Sequence, residues 1–559
     1  MNSVHHTVAS ILLAWTAAIV PSLWAGAAHA QQKTVCTITV NSSDEKEAFR
    51  QRLPADKFRF VELVERGRPD WLASACQKGI QCDVLVISGH FAGTNFFSEQ
   101  IDTQEFLPVE EMERVSCSDS CPGLFTRLKE VYLFGCNTLN AESVGAPPPL
   151  PASMGEGRAR DVLRDARMKS TRNSERLLAG EESNRERMRR IFSDVPVIYG
   201  FSAKAPVGEA AAGILNRYLK NTAGRDVATG RVSANLLGAF RSTSMAAASG
   251  MRNTDPQAGY RDQVCQFFDQ RLAPAQKLDF VHQILERKET EVRRFFDRIE
   301  KFTETVGDSQ RAAPAFAREL DEIGKDAAAR DRYLALMRAE RPPVRARMIK
   351  VAGAFGWLSS NAQRGETVAV VRDVLANPKV DPAGVEFACK LNDDHDLDEE
   401  SGRFRLSPSQ SASAGHHAVL ACLGDRDSHR RVLQALTSAT AEDVRIAQVY
   451  FSHRPIVNPS ELRSVATAIA RMDASDAKVL ALDTLARHYI ADRESIEELV
   501  LLFSMTESVN VQRAIAGILI RSDYGSIGKR DLLRTLSEHR LRSPDGEDVI
   551  DVLIRRLQS

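Results

Sequence analysis

The sequence predicts an α/β N-terminal domain, a mostly parallel sheet flanked by helices, followed by an all-α solenoid. Three observations carry this. Between residues 33 and about 221, short apolar runs alternate with amphipathic stretches, the pattern of a parallel sheet with crossover helices. Two of the runs, "DVLVIS" and "VYLFG", are apolar throughout, as central strands buried on both faces are. In the last third, amphipathic helices recur 33 and 34 residues apart.

The chain has 559 residues, too many for one ordinary domain. Lys+Arg and Asp+Glu both number 74, so net charge points neither to nucleic acid nor to an acidic surface as partner. The first thirty residues stand apart. "SILLAWTAAIVPSLWAGAAHA" is an apolar core followed by small residues and reads as a secretory signal cleaved after Ala30. Pro21 and Gly26 interrupt the run near the length a span needs, and no later stretch is long and apolar enough to cross a bilayer. The expectation is a periplasmic or secreted protein with no membrane span after cleavage.

The strands expected are Val35–Val40, Phe58–Val64, Val84–Ser88, Val131–Gly135 and Val195–Gly200. Helices are expected at Ser43–Leu53, Trp71–Lys78, Pro108–Val115, Gly123–Lys129 and Val207–Leu219. From Ala141 to about Arg190 the alternation breaks. "GAPPPLPASMGEG" leads into a heavily charged, arginine-rich stretch that reads as an exposed insertion.

The domain then expected spans 31–260, with the insertion at 141–191. Residues 261–342 form a connector of long charged amphipathic helices such as "LDFVHQILERKETEVRRFFDRIEKF". Residues 343–559 form the solenoid. Aligned on Val444, Ala477 and Val511, apolar or small positions recur at i, i+3, i+4, i+7 and i+8. The copies resemble short HEAT repeats, which pack only against their neighbours and commonly bind another macromolecule along a concave face.

Nine cysteines in an exported chain imply disulfides. Proximity suggests Cys76–Cys82, Cys117–Cys121 and Cys389–Cys422, leaving Cys36–Cys265, although spacing does not fix connectivity. The odd count leaves at least one thiol free in a monomer, and Cys136 is the candidate.

Cys136 has a partner in pattern. "DVLVISGHFAG" ends an apolar strand in Gly89 and His90, and "VYLFGCNT" ends another in Gly135 and Cys136. In an open parallel sheet, ligands bind beyond the carboxyl ends of the strands. If the two strands are neighbours, imidazole and thiol converge on one substrate group. Gly89 and Gly135 leave room for a backbone to approach. A nearby imidazolium favours charged sulfur, and the same histidine can protonate a leaving amine. The backbone N–H groups of Cys136 and Phe91 are the candidate oxyanion donors. No third catalytic residue is evident.

These two blocks resemble the His and Cys blocks of the caspase-like cysteine peptidases: caspases, metacaspases, gingipains, separase and CHAT domains. "LFGCNT" is most similar to the CHAT pattern, "FLPVEEMERV" sits where those domains carry a leucine and an acidic helix, and "VPVIYGFSAKAPVGEAAAGILNRYL" resembles the strand and helix after the cysteine block. The resemblance covers residues 33–221. It implies a caspase-like fold with His90 as general acid/base and Cys136 as nucleophile in peptide-bond hydrolysis. The family usually has glycine after the histidine, where this chain has Phe91. Several relatives accept basic residues before the cut through an acidic pocket, and Glu99 and Asp102 near the His90 loop are candidates for one. The insertion falls where caspases are cut during maturation.

The functional expectation is an exported cysteine endopeptidase whose solenoid binds a protein substrate or regulator. The alternative is a non-catalytic scaffold or sensor of the same architecture. No cofactor is expected. "NDDHDLDEESGRF" lacks the glycine and glutamate of a calcium-binding EF-hand, His416–His417 lacks companion ligands for zinc, and no phosphate-binding glycine loop is present. Lys204, after the fifth strand, reads as exposed.

Overall fold

A computed structural model of the chain describes residues 32–40, 43–63, 72–98, 106–117, 121, 123–141, 182–206, 208–473, 475–523, 527–541 and 548–558. The expected signal segment lies outside these residues, as do Glu99, Asp102 and residues 142–181 of the insertion.

The N-terminal region is an α/β layer structure around a six-stranded sheet. Its strands are β1 (Lys33–Thr39), β2 (Phe58–Glu62), β3 (Val84–Ser88), β7 (Glu130–Phe134), β8 (Val197–Phe201) and β9 (Met245–Ala248), in the order β2-β1-β3-β7-β8-β9. All neighbouring pairs are parallel except β8–β9. The five strands expected from sequence are the first five of these, Val84–Ser88 with the same ends and the others with ends shifted by at most two residues. The continuous apolar runs have the predicted cause, because β3 and β7 are buried at every position. Val84, Val86, Tyr132 and Phe134 face a core shared with Phe49 and Leu215. Leu85, Ile87, Val131 and Leu133 face the opposite core with Met112 and Met188.

Two features escaped the sequence. β9 is "MAAA", a short alanine run with little intrinsic strand preference. A second, antiparallel sheet joins β4 (His90–Phe91), β5 (Asn95–Phe97) and β6 (Phe106–Pro108), each too short to show a period. Residues 123–127 form turns rather than the expected helix, in a short link between disulfide-bonded Cys121 and β7. The end of the expected insertion is also corrected. Residues Asn184–Ile191 are a helix with Met188, Arg190 and Ile191 buried, so this part is packed structure rather than solvated linker.

Four disulfides form: Cys36–Cys82, Cys76–Cys121, Cys117–Cys265 and Cys389–Cys422. Only the last matches the pairing expected from proximity in sequence. Sheet order explains the first correction, since β1 lies beside β3 and carries Cys36 to Cys82. Cys117 closes the acidic helix Val109–Cys117 onto the helix Ala258–Phe268, tying the α/β layers to the helical connector. Cys136 is the free cysteine.

Beyond β9 the described elements are helices. One core runs from Tyr260 to Val370 and a second from Val368 to Leu557, so the boundary falls inside the helix Ser360–Ala376. In the second core the helices stack in two layers. Ala441–His453, Asp476–Leu485, Val509–Leu519 and Val549–Gln558 follow one another in one layer, and Pro459–Ala470, Arg493–Met505 and Lys529–His539 in the other. The arrangement is consistent with a solenoid. In the Val511 copy, Val511, Ala514, Ile515, Ile518 and Leu519 are all buried, as the periodicity predicts.

A buried ionic cluster joins the two regions. Arg190 donates to Glu113 Oε1 through Nη2 at 2.6 Å and Nε at 3.0 Å, and also to Glu182. Arg298, from the connector helix Glu289–Thr305, reaches the same Glu113 at 3.0 Å. Burial alone pushes the Glu113 carboxyl up, but Arg298, Arg190 and Arg187 together hold it down at about 2. Four disulfides are compatible with an extracytoplasmic location. Among the described residues no helix is long and apolar enough to cross a membrane.

Candidate active site

β3 and β7 are adjacent and parallel, and their last paired rung is Ser88 with Phe134. The Gly89 N–H extends the ladder by donating to Phe134 O at 3.1 Å. His90 and Cys136 therefore follow at equivalent positions beyond the carboxyl ends of neighbouring strands. The chains then part. His90–Phe91 turns into the small sheet as β4, and Cys136 enters a tight loop in which Asn137 has φ 59°.

The glycines before both residues make this approach possible, though the backbone they admit is the protein's own. A Cβ on Gly135 would stand 2.8 Å from Phe91 Cβ and 2.9 Å from Gly89 O. One on Gly89 would stand 3.1 Å from Val40 Cβ. The Phe91 side chain belongs to the core beneath the sheet. It is buried against Phe96, with ring centroids 4.7 Å apart. The Phe91 N–H is directed away from β5. Ala92 N–H donates to Asn95 O at 3.1 Å, and bonded rungs alternate in an antiparallel pair, so the Phe91–Phe96 rung is unbonded.

The cysteine loop is pinned from three sides. Thr138, fully buried, donates from its hydroxyl to Gly135 O at 3.2 Å and accepts from Phe201 N–H at 3.0 Å. Asn137 N–H donates to Ala203 O at 2.7 Å, which removes it as an oxyanion donor. The Asn184 side chain donates to Asn137 O at 3.0 Å. Cys136 itself is half-buried, and Ala205 N–H donates to its Sγ at 3.3 Å. The loop that supplies Ala205 is held by Ser244, whose hydroxyl accepts from Ala203 N–H and donates to Lys204 O, both at 3.0 Å. Lys204 is exposed, as expected.

One buried carboxyl at this rim had no signal in the sequence reading. Glu45, 1% exposed, lies in the first turn of the helix Asp44–Arg52 that follows β1. Its Oε1 accepts from Gly208 N–H at 2.7 Å, and the Ser88 hydroxyl also bonds to it. Burial pushes its carboxyl up against those bonds. Glu45 thus braces the strand that presents His90 and the loop that covers Cys136. An acidic first turn is so common that nothing in "NSSDEKEAF" marks it.

Away from this rim, His282, Glu286 and Asp326 place ligand atoms within 4.8 Å of one another. Asp326 is already engaged, capping Ala329 N–H with Oδ1 and meeting His282 Nε2 with Oδ2 at 3.1 Å. His416 is fully buried, with Nε2 against Asn377 O at 3.0 Å. The "NDDHDLDEESGRF" loop is organised by buried Asn392, whose side chain bonds Asp398, Cys422 O and Leu397 N–H.

No family model matches the chain, and no curated protein matches it. Among solved structures, the crystal structure of Raptor from Chaetomium thermophilum is matched at 10% identity and a TM-score of 0.17. The match covers 94% of this chain and 52% of that one, so the chain spans about half that protein's length. A likeness of this size carries no argument about fold or function.

Proposed function

We propose that this protein is an exported cysteine peptidase of caspase-like fold, with a HEAT-like helical stretch that binds a protein substrate or regulator. The observation that supports the reading is the register of β3 on β7, whose last paired rung, Ser88 with Phe134, is followed two residues later on one strand by His90 and on the other by Cys136, the free cysteine.

His90 accepts the proton of the Cys136 thiol, and the sulfur attacks the scissile carbonyl carbon. The oxyanion is met by the N–H groups of Cys136 and Phe91. As the tetrahedral centre collapses, the C–N bond breaks and His90 returns its proton to the leaving amine. Water then gives a proton to His90 and adds to the thioester, which releases the acid and restores the thiol. Ala205 N–H holds the sulfur in place for both steps. Glu99 and Asp102 would favour a basic residue before the cut.

The test is alkylation of Cys136 by iodoacetamide near pH 6. Because the other eight cysteines are paired, one thiol reports. Reaction well above a model thiol, lost in His90→Ala, supports the peptidase. A rate equal to the model thiol supports the scaffold reading instead.

A further inference from the structure

The helix Asn184–Ile191 touches both arms of the candidate site. Asn184 Nδ2 donates to the carbonyl of Asn137, the residue after the nucleophile, at 3.0 Å. One turn later, Arg187 Nη1 donates to the carbonyl of Gly93 at 3.0 Å. Gly93, with φ +85°, sits in the turn of the β4–β5 hairpin that begins with His90. Positions i and i+3 share one helix face, so a single rigid element holds the cysteine loop with one side chain and the histidine hairpin with the other.

The helix is itself fixed on its remaining sides. Ser183 caps it by accepting Glu186 N–H, and Met188 and Ile191 are buried in the core beneath the sheet. Arg189 reaches Asp255 at 2.6 Å and Arg190 reaches Glu113. Arg185 N–H adds a backbone bond to Asn140 O at 3.0 Å. Proton transfer between imidazole and thiol needs heavy atoms about 3 Å apart, and misplacement by about 1 Å can cost about a hundredfold.

We infer that Asn184 and Arg187 are positioning residues: a two-pronged clamp that sets the spacing between the His90 hairpin and the Cys136 loop. This rests on the peptidase reading above. The clamp does not touch substrate; it acts through the two residues that do.

The experiment is a cycle on the full-length, disulfide-intact protein, read as the iodoacetamide rate of Cys136 near pH 6. The proteins are wild type, Asn184→Ala, His90→Ala and the double variant, with thermal unfolding followed alongside. Asn184→Ala should slow labelling about tenfold when His90 is present, the worth of one good hydrogen bond, and less than about twofold when His90 is absent. Arg187→Ala should behave alike. Should Asn184→Ala fold poorly, Asn184→Asp takes its place. It keeps a side chain favoured in a first helical turn but cannot donate to Asn137 O. An unchanged rate, or the same loss in both backgrounds, overturns the clamp while leaving the dyad standing. Equal labelling of wild type and His90→Ala removes the dyad, and the clamp with it.

Discussion

Gly135 packs directly on Phe91: a Cβ at Gly135 would lie 2.8 Å from the Phe91 Cβ. The residue before Cys136 is thus in contact with the residue after His90, and the two segments share one packing surface.

Gly135→Ala tests that surface. Atoms closer than 3.0 Å on both a side-chain Cβ and the Gly89 carbonyl force the hairpin to move. The variant should lose about 1–3 kcal/mol by urea unfolding, and Cys136 should lose its His90-dependent labelling. A variant with wild-type stability and labelling would mean that the arms are not coupled there.

Glu45 gives a pH signature. Burial raises its folded pKa above the ordinary 4.5, so ionisation costs stability that grows as pH rises through the raised value. Glu45→Gln keeps an acceptor for Gly208 N–H and carries no charge. Relative to wild type it should gain stability toward neutral pH, with the gain vanishing below about pH 4.5, where both states are protonated. Unfolding midpoints of the two proteins between pH 4 and 8 check the sign.

Glu113 has the opposite sign. Although burial pushes it up, Arg298, Arg190 and Arg187 hold its carboxyl at about 2, against 4.5 when unfolded. Its stabilisation is complete above the unfolded value and is lost as pH falls toward the folded one. Glu113→Gln should cost about 3 kcal/mol near neutrality, and the difference from wild type should shrink between pH 5 and 2. A constant difference across that window would show that the carboxylate is not what the arginines bind.

These contacts separate what was legible in the sequence from what was not. The strands β3 and β7 were readable because burial on both faces makes them apolar at every position, and they pointed to His90 and Cys136 because each run ends on glycine. The Val511 repeat was readable because its buried face keeps the period of a helix. Cysteine pairing was not, apart from Cys389–Cys422: Cys36 meets Cys82 only because β1 adds to the edge of β3, and sheet order is not written in local pattern. Glu45 and Asn184 were invisible for a related reason. Each is a polar residue in an ordinary first helical turn, and its role comes from a loop more than forty residues away in sequence. The small sheet β4–β6 was missed because strands of two or three residues have no period to read.

Peptide hydrolysis by the purified protein bears most directly on the central claim. An unfolded protein substrate is incubated with wild type, Cys136→Ala and His90→Ala, and new amino termini are counted by mass spectrometry. The account predicts cleavage by wild type and a loss of at least about a hundredfold in both variants. Cleavage that persists in both, or none by the wild-type protein under conditions where Cys136 is reduced and accessible, would contradict it.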